Sequence, residues 1–215
     1  AVTGGGNTRA GGEIRITAYT ADILADSLLD VSGGLIASSA IAYGDAGILA
    51  IHAGRDPALK WLTGGHLALN GTLRGLSGSH GGTLDLLAPT IQVGGAAVYP
   101  NTLLLQPEFF NQGGFSSFKL TGLGTDITPP AGAETFAPGV VISPGTTLAP
   151  VVSSLQANVL LQNSASSITL ATILQPEGYR NAVHLDLEAP GIIDTVNTLL
   201  LVRGRVETGL GSRIL

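Results

Sequence analysis

A short phrase, in which a Gly-Gly or Ala-Gly pair precedes apolar residues two positions apart, recurs along this chain. The first apolar residues of its five copies are Ile14, Leu49, Leu67, Leu84 and Phe118. They are separated by steps of 35, 18, 17 and 34 residues, all close to multiples of 17 to 18. A constant step of this size predicts that the chain winds into coils stacked on one another, about 17–18 residues per coil.

Each copy of the phrase also alternates apolar and polar residues, which is the pattern of a strand with one buried face. In Thr83-Leu84-Asp85-Leu86, we expect both leucines to point inward and Asp85 to point outward. Eighteen extended residues at about 3.3 Å each give roughly 60 Å of contour, enough for one closed turn of three short strands. Stacked turns pair their strands in parallel without helical crossovers, so the sequence predicts an all-β parallel β-solenoid.

A β-sandwich is the main alternative fold, because it also uses many short strands joined by glycine turns. It would not require glycine pairs at a constant step. A second ambiguity concerns residues 20–31, where Asp22, Asp26 and Asp30 lie four apart as on one face of a helix. Glycines bound this segment on both sides, and the repeat favours two short strands there.

The organisation that we predict is one solenoid in three parts. Residues 1–124 form regular coils, 125–150 form a Pro- and Gly-rich excursion or wide turns with a short strand at 140–142, and 151–215 form further coils. Two phrases, Leu-Asp-Leu-x-Ala-Pro-x-Ile and Asn-Thr-Leu-Leu-Leu, occur in the same order in both halves, at 84–91 and 101–105 and again at 185–192 and 197–201. This order indicates a higher-order duplication. A chain without methionine that starts on Ala1 is expected to be an internal piece of a larger protein.

The composition excludes two classes of partner. The net charge is −5 and only two lysines occur, Lys60 and Lys119, so no basic stripe is available to neutralise a phosphate backbone. No run of 18 apolar residues occurs, so membrane insertion of this segment is not expected.

Several segments resemble the repeats of bacterial filamentous-haemagglutinin-like exoproteins, the adhesins of two-partner secretion. These segments are GGEIRITA, GGHLALNG, GGTLDLLAPTIQVGG and HLDLEAPGI. The resemblance implies a right-handed parallel β-helix at the bacterial cell surface with an adhesive or scaffolding role. It also implies export through an outer-membrane β-barrel partner and binding to a host or bacterial surface receptor or glycan. The absence of cysteine agrees with export, because a disulfide formed in the periplasm would trap folded structure.

The residue pattern carries no catalytic, cofactor or metal site. The histidines His52, His66 and His80 are 14 residues apart, out of step with the coils, and no HExxH pattern occurs. Asp85 and Asp186 occupy matching places in their phrases, but a separation of 101 residues predicts several coils between them. The sequence therefore predicts a protein that is not an enzyme.

Four large aromatic residues are the candidate ligand contacts: Trp61, Tyr99, Phe109 and Phe110. Exposed rings can stack on sugars, although such rings also fill corners of a solenoid. The function that we expect is a structural or adhesive segment of an exported surface protein, forming a rigid shaft. The alternative is a β-helix that binds or degrades a polysaccharide.

Overall fold

The structure, a computed structural model, describes residues 10–37, 41–58, 64–126, 136–162, 165–190, 192–193, 201–202 and 204–215. Some sequence predictions lie outside these residues. They concern Trp61, the centre of the Pro-rich segment at 127–135, and most of the second Asn-Thr-Leu-Leu-Leu phrase.

The described residues form an all-β structure in which most strand pairs are parallel. The strands are β1 (Glu13–Thr17), β2 (Ala21–Ile23), β3 (Leu28–Asp30), β4 (Leu35–Ala37), β5 (Ile41–Tyr43), β6 (Ile48–His52), β7 (Leu67–Leu69), β8 (Thr72–Arg74), β9 (Gly82–Ala88), β10 (Thr90–Val93), β11 (Thr102–Leu105), β12 (Phe115–Gly122), β13 (Thr125–Asp126), β14 (Phe136–Ala137), β15 (Val140–Ile142), β16 (Thr147–Leu148), β17 (Ser154–Gln162), β18 (Ala165–Ile173), β19 (His184–Glu188), β20 (Ile192–Ile193), β21 (Leu201–Val202), β22 (Val206–Thr208) and β23 (Arg213–Ile214). One 3₁₀ helix spans Pro107–Asn111.

A five-stranded parallel sheet in the order β1-β6-β9-β12-β19 organises the molecule. Its register aligns the recurring phrase into rows, one of which contains Ile14, Leu49, Leu84, Phe118 and Leu185. We call the chain from one of these strands to the next a pass, so that five passes begin at β1, β6, β9, β12 and β19. The predicted parallel pairing of the phrases is therefore confirmed for four of its five copies.

The predicted step of 17–18 residues is wrong. Ile14 pairs with Leu49 and Leu49 with Leu84, each 35 residues later. The copy at Leu67 lies in a different sheet, where it pairs with Ala21, 46 residues earlier. The step varies because passes carry loops at different corners: the β4–β5 hairpin lengthens the first pass, and residues 53–66 lengthen the second.

Close approach of the backbone explains the glycines of the phrase. A Cβ atom on Gly47 would overlap the carbonyl oxygen of Gly12 in the preceding pass, and one on Gly65 would overlap the carbonyl oxygen of Tyr19. Neither glycine has a positive φ, so the neighbouring pass, rather than an unusual backbone angle, excludes a side chain. Such a phrase marks any place where two passes touch, whichever face of the molecule it lies on.

The apolar core lies behind the five-stranded sheet. Leu84 and Leu86 are buried, whereas Asp85 between them is only half-buried on the outer face, as the alternation predicted. Phe118 replaces the aliphatic residue in the fourth pass, and its ring packs edge-on against Phe110, with 5.1 Å between ring centres. Aromatic rings thus fill the core where the third and fourth passes meet.

Two smaller parallel pairs continue the passes beyond the main sheet. β2 pairs with β7 and β3 with β8, which confirms two short strands rather than a helix in residues 20–31. A four-stranded sheet, β11-β10-β15-β22, serves the later passes and contains the predicted strand at Val140–Ile142. β11 follows β10 after a loop supported by the buried Gln92, whose Nε2 donates to the carbonyl of Gly94 and to Ser143 Oγ, both at 3.0 Å.

Residues 151–215 depart from the expected further coils. β17 and β18 form a long antiparallel hairpin, after which β19 rejoins the main sheet and β22 and β23 extend two smaller ones. The duplicated phrases also differ in pairing, since β10 and β11 are parallel whereas β20 and β21 are antiparallel. Sequence duplication here did not preserve strand pairing.

Replacing Gly47 by Ala should destabilise the fold, since the added methyl group forces two passes apart. We expect Gly47→Ala to lower the free energy of unfolding by about 1–3 kcal/mol, the usual cost of overpacking. The matched control is Gly12→Ala, because nothing lies within 4 Å of a Cβ at that position. It should change stability by less than about 0.5 kcal/mol. Urea unfolding of both variants measures the difference, and equal losses would contradict the close-approach explanation.

Candidate functional site

The four candidate aromatic residues have different environments. Trp61 lies outside the described residues. Tyr99 is half-buried in the loop between β10 and β11, where its carbonyl oxygen accepts a hydrogen bond from Thr102 Oγ1 at 2.7 Å. Phe110 is only 1% exposed and packs in the core, so its ring is not available to a ligand. Phe109 is half-buried, and it lines a groove.

This groove, of about 480 Å³, lies where a parallel strand is missing from one face of the molecule. β8 pairs with β3 on one side. On its other side the third pass runs as the 3₁₀ helix and the turn after it, and only the N–H of Gly75 reaches across, to the carbonyl of Gly113 at 2.7 Å. Substituting a 3₁₀ helix for a strand therefore opens a space of the size that binds small ligands.

The groove has an apolar floor and a polar rim. Its floor includes Leu69, Leu73, Leu84, Phe109 and Phe115. At the rim, the side chains of Arg74 and Gln112 are exposed and make no side-chain contact with another described residue.

Asn111, also at the rim, accepts a hydrogen bond from the N–H of Val151 at 2.9 Å through Oδ1, and this bond leaves its amide group able to donate. An aromatic ring beside planar hydrogen-bonding groups is an arrangement that can hold a sugar. Sequence reasoning identified Phe109 but missed Arg74 and Gln112, because nothing in the sequence signals that a strand is replaced at this position.

The outer face of the molecule carries histidine–aspartate contacts between passes. His52 Nε2 lies 3.1 Å from Asp85 Oδ2, His66 Nε2 lies 2.8 Å from Asp22 Oδ1, and His80 Nδ1 lies 2.9 Å from Asp45 Oδ1. The prediction that these histidines are out of step used the wrong coil length. His80 follows Asp45 by 35 residues, so the pairing step of the main sheet would have revealed that contact.

Charged residues alternate along the central outer row of the main sheet. Asp85, Lys119 and Asp186 are neighbours in register, so the two aspartates lie two strands apart, about 10 Å. The expectation of several coils between them is wrong, because the long fourth pass spends its residues in the Pro-rich segment and the β17–β18 hairpin. Lys119 lies between the two carboxylates and binds Glu188 at 3.1 Å, so the cluster forms cross-strand ion pairs.

Two of these aspartates have lowered pKa values. Partial burial alone raises the pKa of Asp85, but the contact with His52 and the charges of Lys119 and Arg15 outweigh burial and hold it below its usual value. Hydrogen bonds from Ser79 and then His80 lower the pKa of Asp45. Both carboxylates therefore stabilise the folded protein in their ionised form.

Among the described residues, no group of three or more His, Asp or Glu side chains could hold a metal ion. No carboxylate or histidine is among the residues that line the groove. Within the same part of the chain, helices long and apolar enough to cross a membrane are absent. No protein-family model, curated protein or solved structure matches this sequence.

Acid should weaken the fold through Asp85. A carboxyl whose folded pKa is depressed adds stability above its unfolded value, about 3.9, and this stability is lost as the pH falls through the folded pKa. We therefore expect Asp85→Asn to cost on the order of 1 kcal/mol near neutral pH. The cost should vanish at a pH below both values.

Urea unfolding at neutral and strongly acid pH measures this difference. The control is Asp26→Asn, which removes an exposed carboxylate with no partner among the described side chains. A cost for Asp85→Asn that is the same at both pH values would contradict an electrostatic role.

Proposed function

We infer that this chain is a structural and adhesive segment of a large exported bacterial surface protein, with its passes forming a right-handed parallel β-helix. The supporting observation is the register of the main sheet. Inward positions stay apolar in every strand, while the central outward position changes through Arg15, Ala50, Asp85, Lys119 and Asp186. A shaft requires a constant interior and makes no demand on its outer face.

The sequence resemblance to filamentous-haemagglutinin-like exoproteins supplies the rest of this proposal. It places the protein at the bacterial cell surface after export through an outer-membrane β-barrel partner. The absence of cysteine supports this route, because an extended chain must pass through the barrel before the passes stack. Adhesion to a host or bacterial surface then depends on departures from the regular stack.

A disulfide between adjacent passes should block this export. Ile48 and Thr83 are partners in register in the main sheet, so the variant Ile48→Cys with Thr83→Cys places two thiols within disulfide range. Fused behind the secretion domain of a two-partner system, the natural chain should reach the medium. The double variant should accumulate in the periplasm and be released when reductant is present.

Each single-cysteine variant serves as a control and should be exported normally. Failure of the natural chain to be exported would overturn the proposed route. Equal export of the oxidised double variant would show that the two strands are not paired in a state that blocks passage.

A second candidate function, carbohydrate binding, is favoured by the groove at the 3₁₀ helix. Phe109 offers an aromatic surface, and Arg74 and Gln112 offer donors without side-chain partners in the described structure. Polysaccharide degradation has no comparable support, because general acid–base cleavage needs carboxyl groups beside the ligand. The groove would therefore recognise a glycan without cleaving it.

Removing donors from the rim should reduce glycan binding without unfolding the protein. We expect Arg74→Ala and Gln112→Ala each to lower the affinity roughly tenfold for whichever glycan a glycan array identifies, because each removes a direct hydrogen bond. Gln106→Ala is the matched control, since Gln106 is exposed just before the 3₁₀ helix and does not line the groove. If the array detects no glycan, or if all three variants bind equally, the groove is not the binding site.

A further inference from the structure

The main sheet ends in an unpaired strand edge on both sides. In the part of the chain that the structure describes, β1 pairs only with β6, and β19 pairs only with β12. The N–H of Ala18 donates to His52 and the carbonyl of Gly12 accepts from Ile48, so the even-numbered residues of β1 bond to β6. The backbone groups of Glu13, Arg15 and Thr17 therefore face the free edge. Such an edge is a template for another strand.

Apolar residues at these ends are more exposed than their row partners. Val206 in β22 is 41% exposed, whereas Val140, its partner in register, is 0% exposed. Ile214 in β23 is 54% exposed, whereas its partner Leu148 is 1% exposed. At the opposite end, Ile14 and Ile16 are half-buried in rows whose central members are fully buried. Each end thus lacks one covering layer.

The two ends are complementary to each other. Adding β1 of a second molecule beyond β19, with the register of the sheet continued, places Ile14 on Leu185 and Ile16 on Leu187. The same register sets Arg15 opposite Asp186 and Glu13 opposite His184, which continues the alternation of charge along the outer face. Because the strands are parallel, this arrangement is head-to-tail.

The smaller sheets meet in the same arrangement. β22 and β23 end the faces that begin with β2 and β3, so Ile214 approaches Leu29 in the second molecule. One like-charged pair arises, between Glu207 and Asp22. Each already has its own partner, since Glu207 binds Arg205 at 2.7 Å and Asp22 binds His66 at 2.8 Å. The meeting of these two carboxylates therefore does not place an unpaired charge in the contact.

We propose that this chain associates head-to-tail with further copies of itself, β19 of one molecule pairing in parallel with β1 of the next. A head-to-tail contact uses two different surfaces, and it therefore produces open chains rather than closed dimers. This partner lies beyond the proposed export and adhesion, neither of which requires it.

The test is the average mass of the purified chain, measured by sedimentation over a wide range of concentration. We expect the mass to rise with concentration. Arg15→Asp and Asp186→Arg should each weaken association at least tenfold, because each places like charges together across the contact. The double variant Arg15→Asp with Asp186→Arg should restore it, because the exchanged charges again attract.

Two further variants separate specific pairing from aggregation. Thr17→Pro removes an N–H from the free edge of β1 and leaves the bonds to β6, so it should abolish association while circular dichroism remains unchanged. Glu177→Arg alters an exposed turn away from both ends and should have no effect. A chain that stays monomeric at every concentration would overturn the proposal. So would association that the double charge exchange does not restore.

Discussion

Close parallel contact between successive passes of the backbone is the constraint on which the rest of this structure depends. Parallel strands lie about 4.8 Å apart, so a side chain at a point of backbone contact forces the strands to separate. Gly47 and Gly65 remove that obstruction where their passes cross the preceding one. Once the passes are in contact, inward residues such as Leu49, Leu84 and Leu120 stack into continuous apolar rows.

The polar contacts of the outer face follow from the same register. His52 reaches Asp85, and His80 reaches Asp45, only because parallel pairing brings residues some 33 to 35 positions apart onto adjacent strands. These pairs join one pass to the next rather than ends of one strand. They add an electrostatic, pH-dependent contribution to a stack that is held mainly by apolar burial.

The groove at the 3₁₀ helix shows how a repetitive fold acquires a distinctive surface. Where the third pass departs from the strand pattern, Phe109 is left partly uncovered, and Arg74 on the preceding pass loses a neighbour. The hairpin of β17 and β18 is a second departure, and it lengthens the fourth pass without disturbing the main sheet. Function in such a fold is expected where the pattern is interrupted, because uninterrupted rows differ only in their outward side chains.

Local properties of this protein were predictable from the sequence by itself. Alternation of apolar and polar residues identified strands, the buried positions of Leu84 and Leu86, and the parallel pairing of the phrases at Ile14, Leu49, Leu84 and Phe118. These features depend on side-chain direction and on steric contact within a few residues.

The tertiary structure alone decided the length of each pass, the antiparallel hairpin and the composition of the groove. The glycine phrase marks backbone contact on any face, so the copy at Leu67 imitated a coil of half the true pairing step. Phe109 and Phe110 look alike in sequence, yet one lines the groove and the other is buried in the core. Those outcomes depend on which distant segment lies alongside, and loops of different lengths at each corner determine that.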